Sequence, residues 1–251
     1  MQRAVPHIEV IQSLRRVGII PDFEAVLEST YRRLIGTGDT VVDVGANQGR
    51  HTTVFAELVG SAGSVHAFEP LPDIFARLQA KGLPPRVKTY QFALGLDHGP
   101  AAFVHAKGTP AESGLKQRKS FNRPDLVTPE IITVEVRRLD DFADDIRDVR
   151  YIKMDIEGGE VDCLRGAMQL ISRDRPYISA EYGGTTYEPY GHTVQTLFDQ
   201  AESMGYVLGD LFGAVIGDIE AWERVCNRGM WDWYLIPRER IDEWTARLAE
   251  H

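Results

Sequence analysis

The sequence predicts an α/β fold: a mostly parallel sheet with helices on both faces. From residue 40 onward, short apolar runs of strand length alternate with longer stretches whose apolar residues recur at helical spacing. The 251 residues are 43% hydrophobic and 26% charged, enough apolar side chain for the core of one generous domain. That composition excludes disorder, collagen-like sequence and coiled coil for the chain as a whole.

Residues 7–17 and 22–35 carry apolar residues at helical spacing and are separated by Gly18 and Pro21, so residues 1–38 read as an N-terminal helical extension. The main domain, 39–251, begins where GTGD breaks the pattern. TVVDV (40–44) is a strand followed by a helix to about 59, and SVHAF (64–68) is a strand followed by a helix over 72–81. RVKTYQFAL (86–94) reads as one further strand. YIKMD (151–155) precedes a helix at 160–171, and YISAEY (177–182) precedes one at 193–203. YVLG (206–209) and WDWYLIP (231–237) are the last strands, before a C-terminal amphipathic helix. Residues 105–130 show no clear period and carry Lys116, Arg118, Lys119 and Arg123; they read as a solvated basic loop or a lid.

Lys and Arg number 28 against 37 Asp and Glu, a formal charge of −9, which argues against nucleic acid as a partner. Cys163 and Cys226 are too few for a disulfide framework or a zinc site and read as buried thiols of a reducing compartment. No signal-peptide core or membrane-length apolar run occurs, so the chain is expected to be cytoplasmic, with no membrane partner. The amphipathic N-terminal helices offer a surface for a homo-oligomer or a lid.

The first strand runs into Asp43-Val44-Gly45-Ala46-Asn47-Gln48-Gly49, where glycines permit a sharp turn and close ligand approach. Glu69 closes the second strand, 20 residues after Gly49, where a carboxylate accepts from the hydroxyls of an adenosine ribose. The G-x-x-x-G spacing departs from the dinucleotide fingerprint, and Asp43 suits a cationic ligand end better than a pyrophosphate. S-adenosylmethionine, which joins adenosine to a sulfonium and an ammonium, fits that pattern. Asp155, Glu157 and Glu160 form a second cluster at the end of the 151–155 strand, beside the same crevice; Glu160 also suits a helix start.

VVDVGANQGRHT, VHAFEP, FAL, the loop Glu112–Leu115, VRRLDDF, YIKMDIEGGE and LRGA together resemble the FkbM family of S-adenosylmethionine-dependent methyltransferases, over roughly residues 39–182. The resemblance implies a Rossmann-like class I methyltransferase sheet of seven strands, with WDWYLIP reversed in a hairpin with 206–209. It implies O-methylation of a hydroxyl on a small-molecule acceptor, a saccharide or a secondary metabolite. It places Asp43, Gly45, Asn47 and Gly49 at the methionine moiety with Thr52 nearby, Glu69 at the ribose, Ala93 at the adenine edge, and Asp155 and Glu157 towards the substrate. Family patterns often carry aromatic or aliphatic residues where this chain has Gln48, Arg50 and His51.

A hydroxyl needs its proton removed as the methyl arrives, so Asp155 is the leading base, paired with Glu181 on the next strand. The same two carboxylates equally suit a divalent cation such as Mg²⁺. His192 follows a Gly-rich loop above this edge and is a further catalytic candidate. Tyr182, Tyr187 and Tyr190 are candidates for stacking on a sugar face, while Trp222, Trp231 and Trp233 read as core packing. Two rival readings are an NAD(P)-dependent oxidoreductase, which shares the Gly turn and ribose acid, and a non-catalytic cofactor-binding module.

Overall fold

A computed structural model describes residues 6–122 and 124–249 of the chain, so Arg123, the first five residues and the last two lie outside it. Helices α1 (Pro6–Arg16) and α2 (Phe23–Leu34) come first. Asp22 caps α2 by accepting from the Ala25 amide, and Leu27, Tyr31 and Leu34 are buried on one helical face. Ile8 and Ile11 of α1 join them in a core that is continuous with the main sheet.

The alternation then runs as expected through β1 (Thr40–Val44), α3 (Arg50–Leu58), β2 (Ser64–Phe68), α4 (Pro72–Ala80) and β3 (Val87–Tyr90). Here the chain departs from the expected single strand over 86–94. After Tyr90 it leaves the sheet, and Ala93–Leu94 (β4) pairs instead with a separate three-stranded sheet. That sheet is built on β5 (Gly99–Lys107) and β6 (Thr128–Arg137), an antiparallel pair in continuous register from Gly99–Val136 to Lys107–Thr128. Its apolar face is small: Phe103, Val134 and Val136 pack with Ala93, Leu71 and Ile74.

The chain returns to the main sheet with β7 (Val149–Met154), α5 (Glu160–Arg165), α6 (Met168–Asp174) and β8 (Tyr177–Glu181). A short helix α7 (Gly184–Tyr187), then α8 (Val194–Ser203), β9 (Tyr206–Gly209), β10 (Val215–Ile216), α9 (Ile219–Val225), β11 (Asp232–Pro237) and α10 (Ile241–Ala249) complete it. The strand order is β10-β9-β11-β8-β7-β1-β2-β3. The neighbours β8, β7, β1, β2 and β3 are parallel, and β11 runs antiparallel to both β8 and β9. The expected seven strands are thus joined by an eighth, the two-residue β10. It is β10, not β11, that turns back directly on β9; α9 separates β9 from β11.

Consecutive residues of β1, β7 and β8 are buried, the mark of strands covered on both faces. Tyr31, Phe55, Tyr151, Tyr234, Trp222, Trp233 and Trp244 fill that interior. Helix α10 closes on α2 through reciprocal arginine contacts: Arg33 donates to the Leu248 carbonyl at 2.7 Å and Arg247 to the Arg33 carbonyl at 3.0 Å. Cys163 and Cys226 are buried free thiols. Among the described residues no helix is long and apolar enough to cross a membrane.

Candidate active site

Strand order reverses between β1 and β7, so the loops leaving their carboxyl ends diverge and open a crevice between them. Gly45, Asn47 and Gly49 all adopt positive φ (80°, 49° and 80°) in the turn after β1. Glycine at 45 answers to packing: a Cβ there would lie 2.0 Å from the Asp155 carbonyl oxygen, so the two strand ends can meet only over a bare Cα. At Gly49 a Cβ would press on the Leu78 side chain at 2.6 Å. Both glycines therefore set the backbone's path.

Glu69 ties this turn to the end of β2. Its two carboxyl oxygens accept from the Asn47 and Leu71 amides, each at 2.9 Å. Burial pushes the Glu69 carboxyl up to about 7, against the pull of those two amides. The cavity beside it is lined by Gly45, Asn47, Glu69, Ala93 and Asp155, with Phe68, Phe92, Leu94 and Phe103 as apolar walls. Ser113, Leu115 and Tyr190 complete it from the far side.

Three residues expected at the cofactor stand behind this wall. Asp43 is buried and accepts from the Thr52 hydroxyl at 2.5 Å, while its Oδ1 has no hydrogen-bond partner. Thr52 therefore orients Asp43, and Gly49 meets Leu78.

The sharpest feature lies on β7. Lys153 is 2% exposed in a central strand, and its Nζ donates to Asp155 Oδ2 at 3.0 Å. Burial alone would lower the lysine pKa, but Asp155, Asp43, Glu24 and Asp232 around it raise it instead, so it stays charged. Burial raises Asp155 in turn, and Lys153 together with a hydrogen bond from Glu181 outweighs it, so this carboxylate is ionised. Glu181 is pushed far above the carboxylate range by burial and by Glu157 and Asp155. The two carboxyls are thus pulled apart, Asp155 towards the ionised form and Glu181 towards the protonated one.

A second cleft opens on the other side of Asp155, about 660 Å³ in volume. Seven carboxyl side chains line it: Asp22, Glu24, Glu112, Asp155, Glu157, Glu181 and Asp232. They come from the start of α2, the segment between β5 and β6, the turn after β7, the end of β8 and the start of β11. His51 Nε2 lies 2.7 Å from Glu24, and its Nδ1 lies 3.0 Å from the Tyr31 hydroxyl, which fixes α2 to α3. The His51 contact is the main reason Glu24 is held below the usual carboxylate range. Arg118 Nη1 pairs with Glu157 at 3.0 Å and lies 3.6 Å from Glu112. Burial nevertheless drives Glu157 up to about 8, on a backbone with φ of 58° that non-glycine residues seldom adopt.

Other expectations are corrected by position. Arg118 belongs to no solvated loop: only a tenth of its side chain is exposed, and it is held among acids inside the site. The 105–130 segment begins in β5 and ends in β6, and Gly114 bridges back to Val104 between them. Tyr182 and Tyr187 are buried and packed edge-to-face on each other, and neither lines the two cavities that meet at Asp155. The Tyr187 hydroxyl donates to the Glu181 carbonyl at 3.0 Å, supporting β8 from behind. His192 lines neither cavity; it stacks on Tyr190 and faces Asp162 at 3.4 Å. Trp222 and Trp233 are core, as expected, but Trp231 is 42% exposed and lines the acidic cleft. Glu160 is buried and accepts the Ile156 amide at 2.9 Å, closing its own turn.

The chain matches the model of the methyltransferase FkbM domain over residues 43–208. It belongs to the FkbM methyltransferase family. That membership favours methyl transfer over the nicotinamide reading of the same Gly turn. The chain is 28% identical over 143 residues to Methyltransferase 1 of Beauveria bassiana (strain ARSEF 2860), an alignment covering 50% of this chain and 57% of that relative's length. Among solved structures it is similar to a methyltransferase FkbM from Methylobacillus flagellatus KT, at 16% identity and a TM-score of 0.49, over 93% of this chain and 59% of that one. It is also similar to Aeropyrum pernix fibrillarin in complex with S-adenosyl-L-methionine, at 13% identity and a TM-score of 0.45, over 81% and 68%.

Proposed function

We propose that this chain moves a methyl group from S-adenosylmethionine to a hydroxyl of a small saccharide or secondary-metabolite acceptor, with Asp155 taking the hydroxyl proton. The observation that carries this reading is that the two cavities share Asp155, together with Asn47, Pro110 and Ala111. A donor seated in one and an acceptor seated in the other would meet there.

The residues fit the donor. Glu69 lines the cavity with a carboxyl that suits two ribose hydroxyls, and Ala93, Phe68 and Phe92 suit an adenine. The Oδ1 of Asp43 has no hydrogen-bond partner behind the Gly45–Asn47 turn, a place that would favour a cationic end. When bound, the donor supplies a methyl on a sulfonium whose leaving group departs as a neutral thioether. The protein's tasks are alignment and proton removal. Lys153 keeps Asp155 ionised, at the expense of basicity. A weak base suffices, because the hydroxyl proton grows strongly acidic as the new C–O bond forms.

The donor set does not suit Mg²⁺. Asp155 Oδ2 is already engaged by the Lys153 ammonium, and Glu181 is drawn towards the protonated form beside it. Among the described residues no group of three or more His, Cys, Asp or Glu side chains is placed to hold a metal ion.

Calorimetric titration with S-adenosylhomocysteine tests the division of roles. Glu69→Ala should weaken binding by about tenfold or more, the loss of a charged hydrogen-bonding site. Asp155→Ala should bind within a few-fold of the parent yet lose about 10²–10⁴-fold in turnover. Equal loss of cofactor affinity in both variants would overturn the assignment.

A further inference from the structure

The acidic cleft holds one carboxylate whose place the fold does not explain. Of its seven acids, six have a partner. Asp22 caps α2. Glu24 meets His51, and Asp155 meets Lys153. Glu112 and Glu157 share Arg118. Glu181 hydrogen-bonds Asp155. Asp232 is 8% exposed, lines the cleft, and has no hydrogen-bond or ion-pair partner among the described residues. Burial raises its carboxyl to about 7, with the Lys153 charge pulling the other way, so the ionised form is costly here and a ligand cation would favour it.

Among the described residues no Lys, Arg or His lines the cleft surface, so a ligand entering it meets carboxyl groups and two aromatic side chains, Phe23 and Trp231, the latter with the Arg15 guanidinium 5.2 Å from its ring centre. Carboxylate beside aromatic is the chemistry that receives an organic cation. Position sharpens this. Asp232 lies opposite Glu181 in the β11–β8 register, and β8 neighbours β7, which leads to Asp155. Two strand spacings, about 10 Å, therefore separate the proposed methyl-transfer point from Asp232.

Resting on the methyl-transfer reading above, we propose that the acceptor carries a protonated amine, which Asp232 binds while a hydroxyl about one sugar unit away is presented to Asp155. The substrate class is thus an aminated glycoside. A neutral sugar would leave Asp232 unanswered, and an anionic one would be repelled by the cleft.

The test uses the full chain saturated with S-adenosylhomocysteine and two disaccharides that differ only at nitrogen: the β-1,4 dimer of glucosamine and its N,N′-diacetyl form. At pH 7 and low salt the amine dimer should bind at least tenfold more tightly than the acetamide. That preference should fall below threefold in Asp232→Asn and shrink in 1 M NaCl. Asp232→Asn should also melt at or above the parent temperature without ligand, because burial already raises this carboxyl to about 7 and the amide brings no charge to bury, so lost binding could not be ascribed to misfolding. Equal binding of the two sugars, or no binding of the amine, overturns the proposal. So does a Mg²⁺ binding heat abolished by Asp232→Asn, which would make the missing partner a metal. If S-adenosylhomocysteine itself fails to bind, it is the methyl-transfer reading that falls.

Discussion

The two cavities that meet at Asp155 are built on opposite plans. The proposed donor side is walled by backbone turns and apolar side chains, and its one buried acid, Glu69, is already tied to two amides. The acceptor side is walled by carboxyl side chains delivered from five separate segments, with Lys153 and Arg118 offsetting their charge and His51 meeting Glu24 from behind. A pocket made of backbone is written in a few adjacent residues. One made of side chains exists only after distant segments have been brought together, and its charges must be balanced by the fold or by a ligand.

The largest effect that would break this contrast is removal of the cation on which the acceptor side rests. Lys153→Met should cost about 3–5 kcal/mol of stability, the penalty for leaving a buried charge without its partner. It should also lower turnover on the order of 10²-fold, because Asp155 loses the group that keeps it ionised. Chemical denaturation and steady-state rates measure the two losses separately. If S-adenosylhomocysteine affinity fell as far as turnover, the two cavities would not be independent, and the contrast would fail.

That same lysine shows what the sequence could and could not convey. YIKMD reads as a strand, and a lysine between buried neighbours in a central strand must be paired, so Lys153 was detectable as a site residue from its setting alone. Arg118 was not: it sits in a run with no period, and only the return of the chain through Gly114 to Val104 brings it against Glu157. The β5–β6 arms were also hidden, because GPAAFVHAK buries Phe103 to Ala106 in succession without alternation, and TPEIITVEVR buries only Val134 and Val136 while leaving Ile131 exposed. The alternation over Ile132–Val136 was the available signal. His51 gains its meaning from α2, where it meets Glu24. Asp232 reads as part of a strand, and nothing in WDWYLIP marks its second residue as facing a cleft. The turn after β1 and Glu69 were legible because each depends on local sequence.

The middle-sized effect sharpens the donor side. With its carboxyl raised to about 7, Glu69 is partly protonated at neutral pH. Hydroxyl donors of a ligand need the carboxylate, so affinity for S-adenosylhomocysteine should fall as pH drops through 7, by up to about tenfold per unit. In the ligand-free protein the sign is opposite. A carboxyl raised on folding contributes stability below its unfolded value and loses it as pH climbs towards 7, so the gain in melting temperature on ligand binding should grow from pH 6 to pH 8. Glu69→Gln should flatten both trends, and a slope that survives the substitution would assign them to another group.

The smallest effect concerns a residue that sequence position recommended and geometry removed. His192 stands in a Gly-bounded turn near the β8 edge, but its ring packs behind Tyr190 with Asp162 on its far side. Burial lowers its pKa, with Asp162 pulling the other way, so it is a largely neutral ring in a structural contact. His192→Gln should therefore leave turnover within about threefold of the parent and leave the pH profile of the rate unmoved, since Asp155 and not an imidazole carries the proton. A threefold change in rate with an unchanged profile would come from Tyr190, which lines the donor cavity and would lose its stacking partner. A shifted acidic limb would instead return His192 to the reaction and make the acceptor side dependent on a titrating base that the carboxylate pair does not require.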